Sequence, residues 1–228
     1  MAPVYHDRLL ALGFTGSGKS ELLNVMFSQV RTQKLLVDTK PEFKVVLPTE
    51  DGERELEPVH DVADIDWTEP VIHFQDRDGL VEEFEELFAA CYTRRNLVLC
   101  VHELADLCEE SPGKTPRHVN KYYGKGRARG LGILGGSQRP VNMPKRALTE
   151  TNHVCYFVPP LSADDHDLVS RTIGEDRHKL RFVLDKAHGD LGDYSYLQWE
   201  KKTRELRVRP PLPEHLRSQN IVRRTLDV

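Results

Sequence analysis

Paired cysteines are missing from this sequence. Its four cysteines, Cys91, Cys100, Cys108 and Cys155, form no CxxC pair and no zinc-like spacing. A disulfide framework and a structural zinc site are therefore not expected, and reduced, partly buried thiols in a cytoplasmic setting are. Long apolar runs are missing too: none approaches the roughly 20 residues that cross a bilayer. The opening MAPVYHDRLL has neither the basic nor the apolar region of a secretory leader, so none is expected. Repeats and low-complexity tracts are absent. So is an excess of positive charge, since 32 Lys and Arg stand against 36 Asp and Glu for a formal net charge of −4. That balance does not announce a nucleic-acid-binding protein, although a local basic channel can coexist with an acidic exterior. What is present suffices for a core: 39% hydrophobic and 30% charged residues over 228 positions suit one large domain or two small ones.

Strand and helix patterns alternate along the chain. Segment 8–13 (RLLALG) reads as a strand entering a Gly-rich turn, and Leu22, Leu23, Met26, Phe27 and Val30 fall at helical spacing over 19–30. A strand at 34–38, a polar hairpin over 43–47 and 53–59 around Glu50-Asp51-Gly52, and a strand at 71–74 follow. Residues 80–94 form an amphipathic helix with Val81, Phe84, Leu87, Phe88 and Cys91 on one face. A strand at 97–101, a loop at 109–117, a helix at 117–128, strands at 130–137 and 154–158 and a helix at 163–173 come next. Two short strands near 194–199 and 205–209 precede a polar tail rich in Pro and Arg. This alternation predicts an α/β domain with a central, mostly parallel sheet flanked by helices, plus a small β-hairpin insertion and short C-terminal strands. Domain boundaries are set at 1–210 for the main domain and 211–228 for the tail.

The strongest signal is GFTGSGKS at 13–20, a complete G-x-x-x-x-G-K-[ST] match between a predicted strand and a predicted helix. Glycines at 13, 16 and 18 let the backbone wrap a phosphate, with Thr15 and Ser17 between them, and the helix N-terminus faces the same anion. Lys19 can reach the outer phosphates, and the Ser20 hydroxyl can meet magnesium. ATP and Mg2+ are the expected ligands.

Hydrolysis in a motor needs a carboxylate base, a polar group at the γ-phosphate and often an arginine from a neighbour. Glu103, just past the apolar strand 97–101, can serve as the base, or simply as an acid at a helix start. Gln138 ends a strand in GGSQRP and can sense the γ-phosphate, or it is a turn residue before Pro140. Lys121, Lys125, Arg127 and Arg129 form a basic cluster that is either a solvated helix face or a source of arginine fingers and phosphate contacts. Asp164, Asp165, His166 and Asp167 look like metal ligands. They also open a helix after Ser162, where acids favour the dipole, and consecutive helical residues diverge. The pair His102-Glu103 is no zinc motif, because Asp106 stands where a second His is needed.

Together the stretches LVLCVHELADL, KGRARGLGILGGSQRP and NHVCYFVPPLSADDHDLVSRTIGED resemble motifs of the FtsK–HerA superfamily of ring-forming, DNA-pumping ATPases, over roughly residues 8–198. The resemblance implies a RecA-like P-loop fold, Glu103 as catalytic glutamate, Gln138 as sensor, and Arg127, with Arg129 in reserve, as a finger acting on the neighbouring subunit. Asp38 is implied to lie near the site. His102 departs from the family, which has Asp there. Imidazole is a poor magnesium ligand, but a neutral His can hydrogen-bond a magnesium-bound water, with Asp38 or Asp76 as compensating carboxylates. A compact chain of this kind resembles the genome-packaging ATPases of membrane-containing icosahedral viruses. The implied partners are double-stranded DNA, further copies in a ring of six, and capsid or virion vertex proteins, in the host cytoplasm or with the virion. Lys114, Arg117 and the stretch 201–208 are candidate DNA contacts. The competing readings are a host HerA-like translocase, a P-loop small-molecule kinase and a nucleotide-binding scaffold that no longer hydrolyses.

Overall fold

A computed structural model describes residues 7–40, 42–49, 52–76, 81–108, 115–217 and 221–223. The eleven strands among them are β1 Arg8–Leu12, β2 Gln33–Asp38, β3 Lys44–Thr49, β4 Gly52–Leu56, β5 Val71–Gln75, β6 Leu97–Val101, β7 Gly132–Ser137, β8 His153–Phe157, β9 Tyr196–Glu200, β10 Glu205–Arg209 and β11 Ile221–Arg223. The helices are α1 Lys19–Ser28, α2 Val81–Thr93, α3 Arg117–Lys125, α4 Lys145–Thr149, α5 Ala163–Ile173 and α6 Arg177–Leu191. The expected loop at 109–114, with Lys114, and the hairpin residues Glu50 and Asp51 lie outside the described residues.

Eight strands form the main sheet in the order β10-β9-β8-β1-β7-β6-β2-β5. Neighbours from β8 through to β5 pair in parallel, and β9 and β10 add antiparallel. Side chains alternate across the sheet, as period two requires. In β1, Leu10 and Leu12 enter one core with Phe84 and Phe88 of α2, Tyr122 of α3, Val169 of α5 and Leu184 of α6. Leu9 and Ala11 enter the other, with Leu22, Leu23 and Phe27 of α1. Burial on both faces explains why the central strands read as continuous apolar runs.

The expected hairpin exists, with β3 and β4 antiparallel, and it packs Val45 into the core on the α1 side. It is not alone. The segment after 210, read as a polar tail, supplies β11, which pairs in parallel with β3 to make a second, three-stranded sheet. Two helices go unread in the sequence, α4 and the fifteen-residue α6. The strand expected from 130 begins at Gly132, because Gly130 adopts φ 72° and closes a 3-10 turn over Gly126–Arg129. Among the described residues no helix is long and apolar enough to cross a membrane.

Insertion of β7 between β1 and β6 sets the site. Three adjacent parallel strands open on one edge of the sheet, and ligands bind at such carboxyl edges. The phosphate-loop sequence follows β1, His102 and Glu103 follow β6, and Gln138 follows β7. The fit there is tight. A Cβ at Gly136 would stand 2.4 Å from the His102 carbonyl oxygen and 3.0 Å from Leu23. Gly136→Ala is accordingly expected to destabilise by about 1–3 kcal/mol through overpacking, whereas Gly189→Ala, in open space on α6, stabilises by about 0.5–1 kcal/mol; urea denaturation of the two variants reads both signs.

Candidate functional site

The Gly-rich segment 13–20 forms a compact loop into α1. The Ser17 amide donates to the Phe14 carbonyl (3.2 Å), and the first helical bond runs from the Leu22 amide to the Gly18 carbonyl (3.0 Å). Gly18 is the helix N-cap at φ 95°, a conformation that a side chain resists, and it offers no capping group of its own. The first amides of the ten-residue α1 thus keep their N–H groups for a ligand at the positive end of the helix dipole.

Lys19 lies under this loop, 5% exposed, with Nζ donating to the Phe14 carbonyl at 2.9 Å. Burial pushes its pKa down to about 8, against support from the Glu103 carboxylate, and Lys40 adds a repulsive charge. An anion in the loop would favour the charged state and raise the pKa again.

Glu103 is 7% exposed, and its side chain is tied to β7. One carboxylate oxygen accepts from the Ser137 hydroxyl at 2.6 Å, and the other from the Gln138 amide at 3.1 Å. Burial raises its pKa, opposed by those two donors. Gln138 in turn accepts from the Thr15 hydroxyl at 2.8 Å. Gln138 therefore bridges the phosphate loop and the buried carboxylate, through its side-chain oxygen to Thr15 and its backbone N–H to Glu103. Glu103 does cap the 3-10 turn Leu104–Leu107, at 3.4 Å from the Ala105 amide, and it also lines the cavity that holds Lys19.

His102 is buried, stacked on Phe43 with ring centroids 3.7 Å apart, and its Nε2 lies 2.8 Å from Asn24 Oδ1. With that oxygen as acceptor, Nε2 carries the proton and Nδ1 keeps a bare lone pair, buried and without a partner. Burial lowers the pKa to about 3, so the ring is neutral at any working pH. Asp38 receives the amides of Lys40 and Phe43 and faces His73 at 3.6 Å. Lys19, Ser20, Asp38, His102, Glu103 and Gln138 line one narrow cavity of about 50 Å³. A second cavity of about 230 Å³ adjoins the helix N-cap, lined by Gly18, Glu21, Phe157, Tyr194, Leu212 and Arg217. There the Arg217 guanidinium lies over the Tyr194 ring, 5.3 Å from its centroid.

The basic cluster lies elsewhere. Arg127 and Arg129 precede β7 and so sit at the amino edge of the sheet, a strand's length from Gln138. Arg129 donates to the carbonyls of Thr93 and Arg94, closing the C-terminus of α2. Lys121 rests over the Tyr92 ring. Arg127 is exposed, as is Arg117. The acidic run on α5 diverges as expected: Asp165 receives the Val141 amide and the Ser162 hydroxyl, His166 meets Tyr156 and the Arg177 carbonyl, and Asp167 pairs with Arg177. Ser162 thus bonds Asp165 rather than capping the helix by its side chain. No cluster of metal-ligating side chains occurs among the described residues.

Sequence reasoning missed Ser137, Asn24, Lys40 and the pair Tyr194 and Arg217. Asn24 carries a readable signal, lying four residues after Ser20 on one helix face. The others come to the site only through the fold.

No family model and no curated protein matches the chain. Solved structures do. The chain is similar to the genome packaging NTPase B204 from Sulfolobus turreted icosahedral virus 2 in complex with AMPPCP, at 17% identity over 92% of this chain and 100% of that one, with a TM-score of 0.70. The sulfate complex of the same protein gives 17% identity, 92% and 98% coverage and a TM-score of 0.71. B204, the DNA-packaging ATPase from Sulfolobus Turreted Icosahedral Virus, gives 17%, 93% and 100%, and 0.67. At this identity the likeness is one of fold, and it agrees with the α/β P-loop architecture implied by the sequence motifs.

The buried lysine yields a test independent of any ligand. Lys19 is charged in both folded and unfolded chains below pH 8, so its burial costs roughly 3 kcal/mol there. The cost is relieved as pH rises from about 8 toward 10.5, where the folded protein sheds the proton first. Lys19→Met is therefore expected to raise the thermal midpoint of the ligand-free protein at pH 7, and to raise it less at pH 10, by scanning calorimetry at the two values.

Proposed function

We propose that this chain is an ATP-hydrolysing motor that drives double-stranded DNA into a viral particle. The observation that carries the reading is the hydrogen-bonded path from the phosphate loop through Thr15 and Gln138 to the buried Glu103. A nucleotide kinase has no need of a buried base held by the backbone of a sensor glutamine, and a non-hydrolysing scaffold has no need of either. The structural neighbours are described as genome packaging NTPases, which supports the direction of the reading.

In this reading Gly13, Thr15, Gly16, Ser17, Gly18, Lys19 and Ser20 hold the phosphates. The base enters the cavity between Tyr194 and Gly18, where an aromatic ring, a guanidinium and Leu212 offer stacking and apolar surface. Glu103 orients water and takes its proton, and Gln138 reports the γ-phosphate. A magnesium ion, when bound, would supply charge neutralisation at the outer phosphates. The residues that fit it are Ser20, through its hydroxyl, and His102, whose unpartnered Nδ1 can accept from a bound water. Subunits assemble as a ring of six. Arg127, exposed and free of hydrogen bonds and ion pairs among the described residues, suits a neighbour's nucleotide better than Arg129, which is committed to α2. Lys202 and Arg204, exposed in the β9–β10 turn, and Arg117 are the candidate phosphate contacts to DNA, which position without reading bases. Capsid vertex proteins are the partners this role implies.

The decisive measurement is ATP turnover with and without double-stranded DNA. DNA is expected to stimulate it, and Glu103→Gln to lower it about 100- to 10,000-fold while the fold persists. Absence of stimulation together with phosphate transfer to a small acceptor would refute the motor. The pH profile adds a second check. Glu103 must be ionised to act as base, and its pKa is raised, so kcat/KM falls on acidification at a pH above the ordinary carboxylate value. Ser137→Ala removes a donor that favours the carboxylate, and its acid limb is expected at still higher pH; an unmoved limb would show that Glu103 does not set it.

A further inference from the structure

The phosphate cavity is lined by two lysines, Lys19 and Lys40, and by three acids. Of its acids, Asp38 is fully buried, and its oxygens receive the amides of Lys40 and Phe43. Glu103 receives the Ser137 hydroxyl and the Gln138 amide. Glu42 is exposed. His102 is neutral and donates to Asn24.

The lysines are arranged differently. Lys19 is bonded only to a backbone carbonyl, and Lys40 makes no side-chain hydrogen bond or ion pair among the described residues. Lys40 lines the same cavity, and its charge is felt at Lys19. Its place is set by the sequence after β2. Asp38 accepts the amides of Lys40 and Phe43, and Phe43 stacks on His102, so Lys40 and His102 line one cavity. Two like charges facing one small space repel each other unless a polyanion lies between them.

On the reading of this cavity as a nucleotide site, we propose that Lys40 is a second phosphate-binding lysine. Lys19 and Lys40 together hold the outer phosphates of a nucleoside triphosphate, so that binding depends little on a divalent cation. Lys19 serves the loop and any nucleotide with a β-phosphate. Lys40 distinguishes triphosphate from diphosphate.

The test is equilibrium binding of fluorescently labelled ATP and ADP to the full chain, in magnesium and in excess EDTA. The wild type is expected to retain ATP affinity in EDTA within about tenfold of its value in magnesium. Lys40→Met is expected to weaken ATP binding about tenfold, the loss of one charge-assisted contact, with a much smaller effect on ADP, and Lys40→Arg to restore it. Because Lys40 is exposed, these variants keep the fold, and circular dichroism checks it. Loss of wild-type ATP binding in EDTA, or a Lys40→Met variant that weakens ATP and ADP equally or neither, overturns the proposal and leaves the nucleotide reading standing. A wild type that binds neither nucleotide overturns both.

Discussion

One buried carboxylate organises this molecule's working edge. Glu103 is held by the Ser137 hydroxyl and the Gln138 amide, and a carboxylate so buried is tolerable only with such donors. Meeting that requirement fixes several things together. The turn after β6 must lie against the end of β7, so a residue without a side chain is needed at Gly136. β7 must run between β6 and β1, which brings Gln138 beside Thr15. The helix that starts at Lys19 then packs Leu23 against the same strand ends. Chemistry and packing are here the same set of contacts.

The opposite choice was made one residue earlier. His102 shares the carboxyl edge of the sheet with Glu103 but is uncharged, stacked on Phe43 and bonded through Nε2 to Asn24. Its neutral state follows from burial. A carboxylate in the same place would be ionised against an apolar ring and would need its own partners. The imidazole instead ties α1 to β6 and to the bend before β3, making the wall of the phosphate cavity a packed structural joint.

Much of this was legible in the chain. The phosphate loop declares itself because glycine spacing, a lysine and flanking strand and helix patterns coincide. The central strands were readable because burial on both faces leaves no polar residue in LVLCV. α6 was not, since only Leu180, Leu184 and Ala187 of its fifteen residues are buried. That stripe is too narrow to stand out among Arg, His, Lys and Asp, and its start signal, Asp176 receiving two amides, comes just after the end of α5 at Gly174. β11 was hidden for another reason: three residues carry no period, and what makes them a strand is the open edge of β3. Ser137 and Lys40 are ordinary residues locally. Their roles arise from what lies across the cavity, which no pattern within one segment encodes.

β11 has a consequence for the order in which the protein folds. Its partner strand β3 lies near the start of the chain, and Leu212 and Arg217, which wall the cavity beside Gly18, are on the route to it. Contacts so distant in sequence pay a large loop-closure entropy and form late. Before β11 docks, a chain with its main sheet formed would carry the Gly-rich loop while the neighbouring cavity lacked two of its walls. The small sheet would then complete that cavity rather than build it.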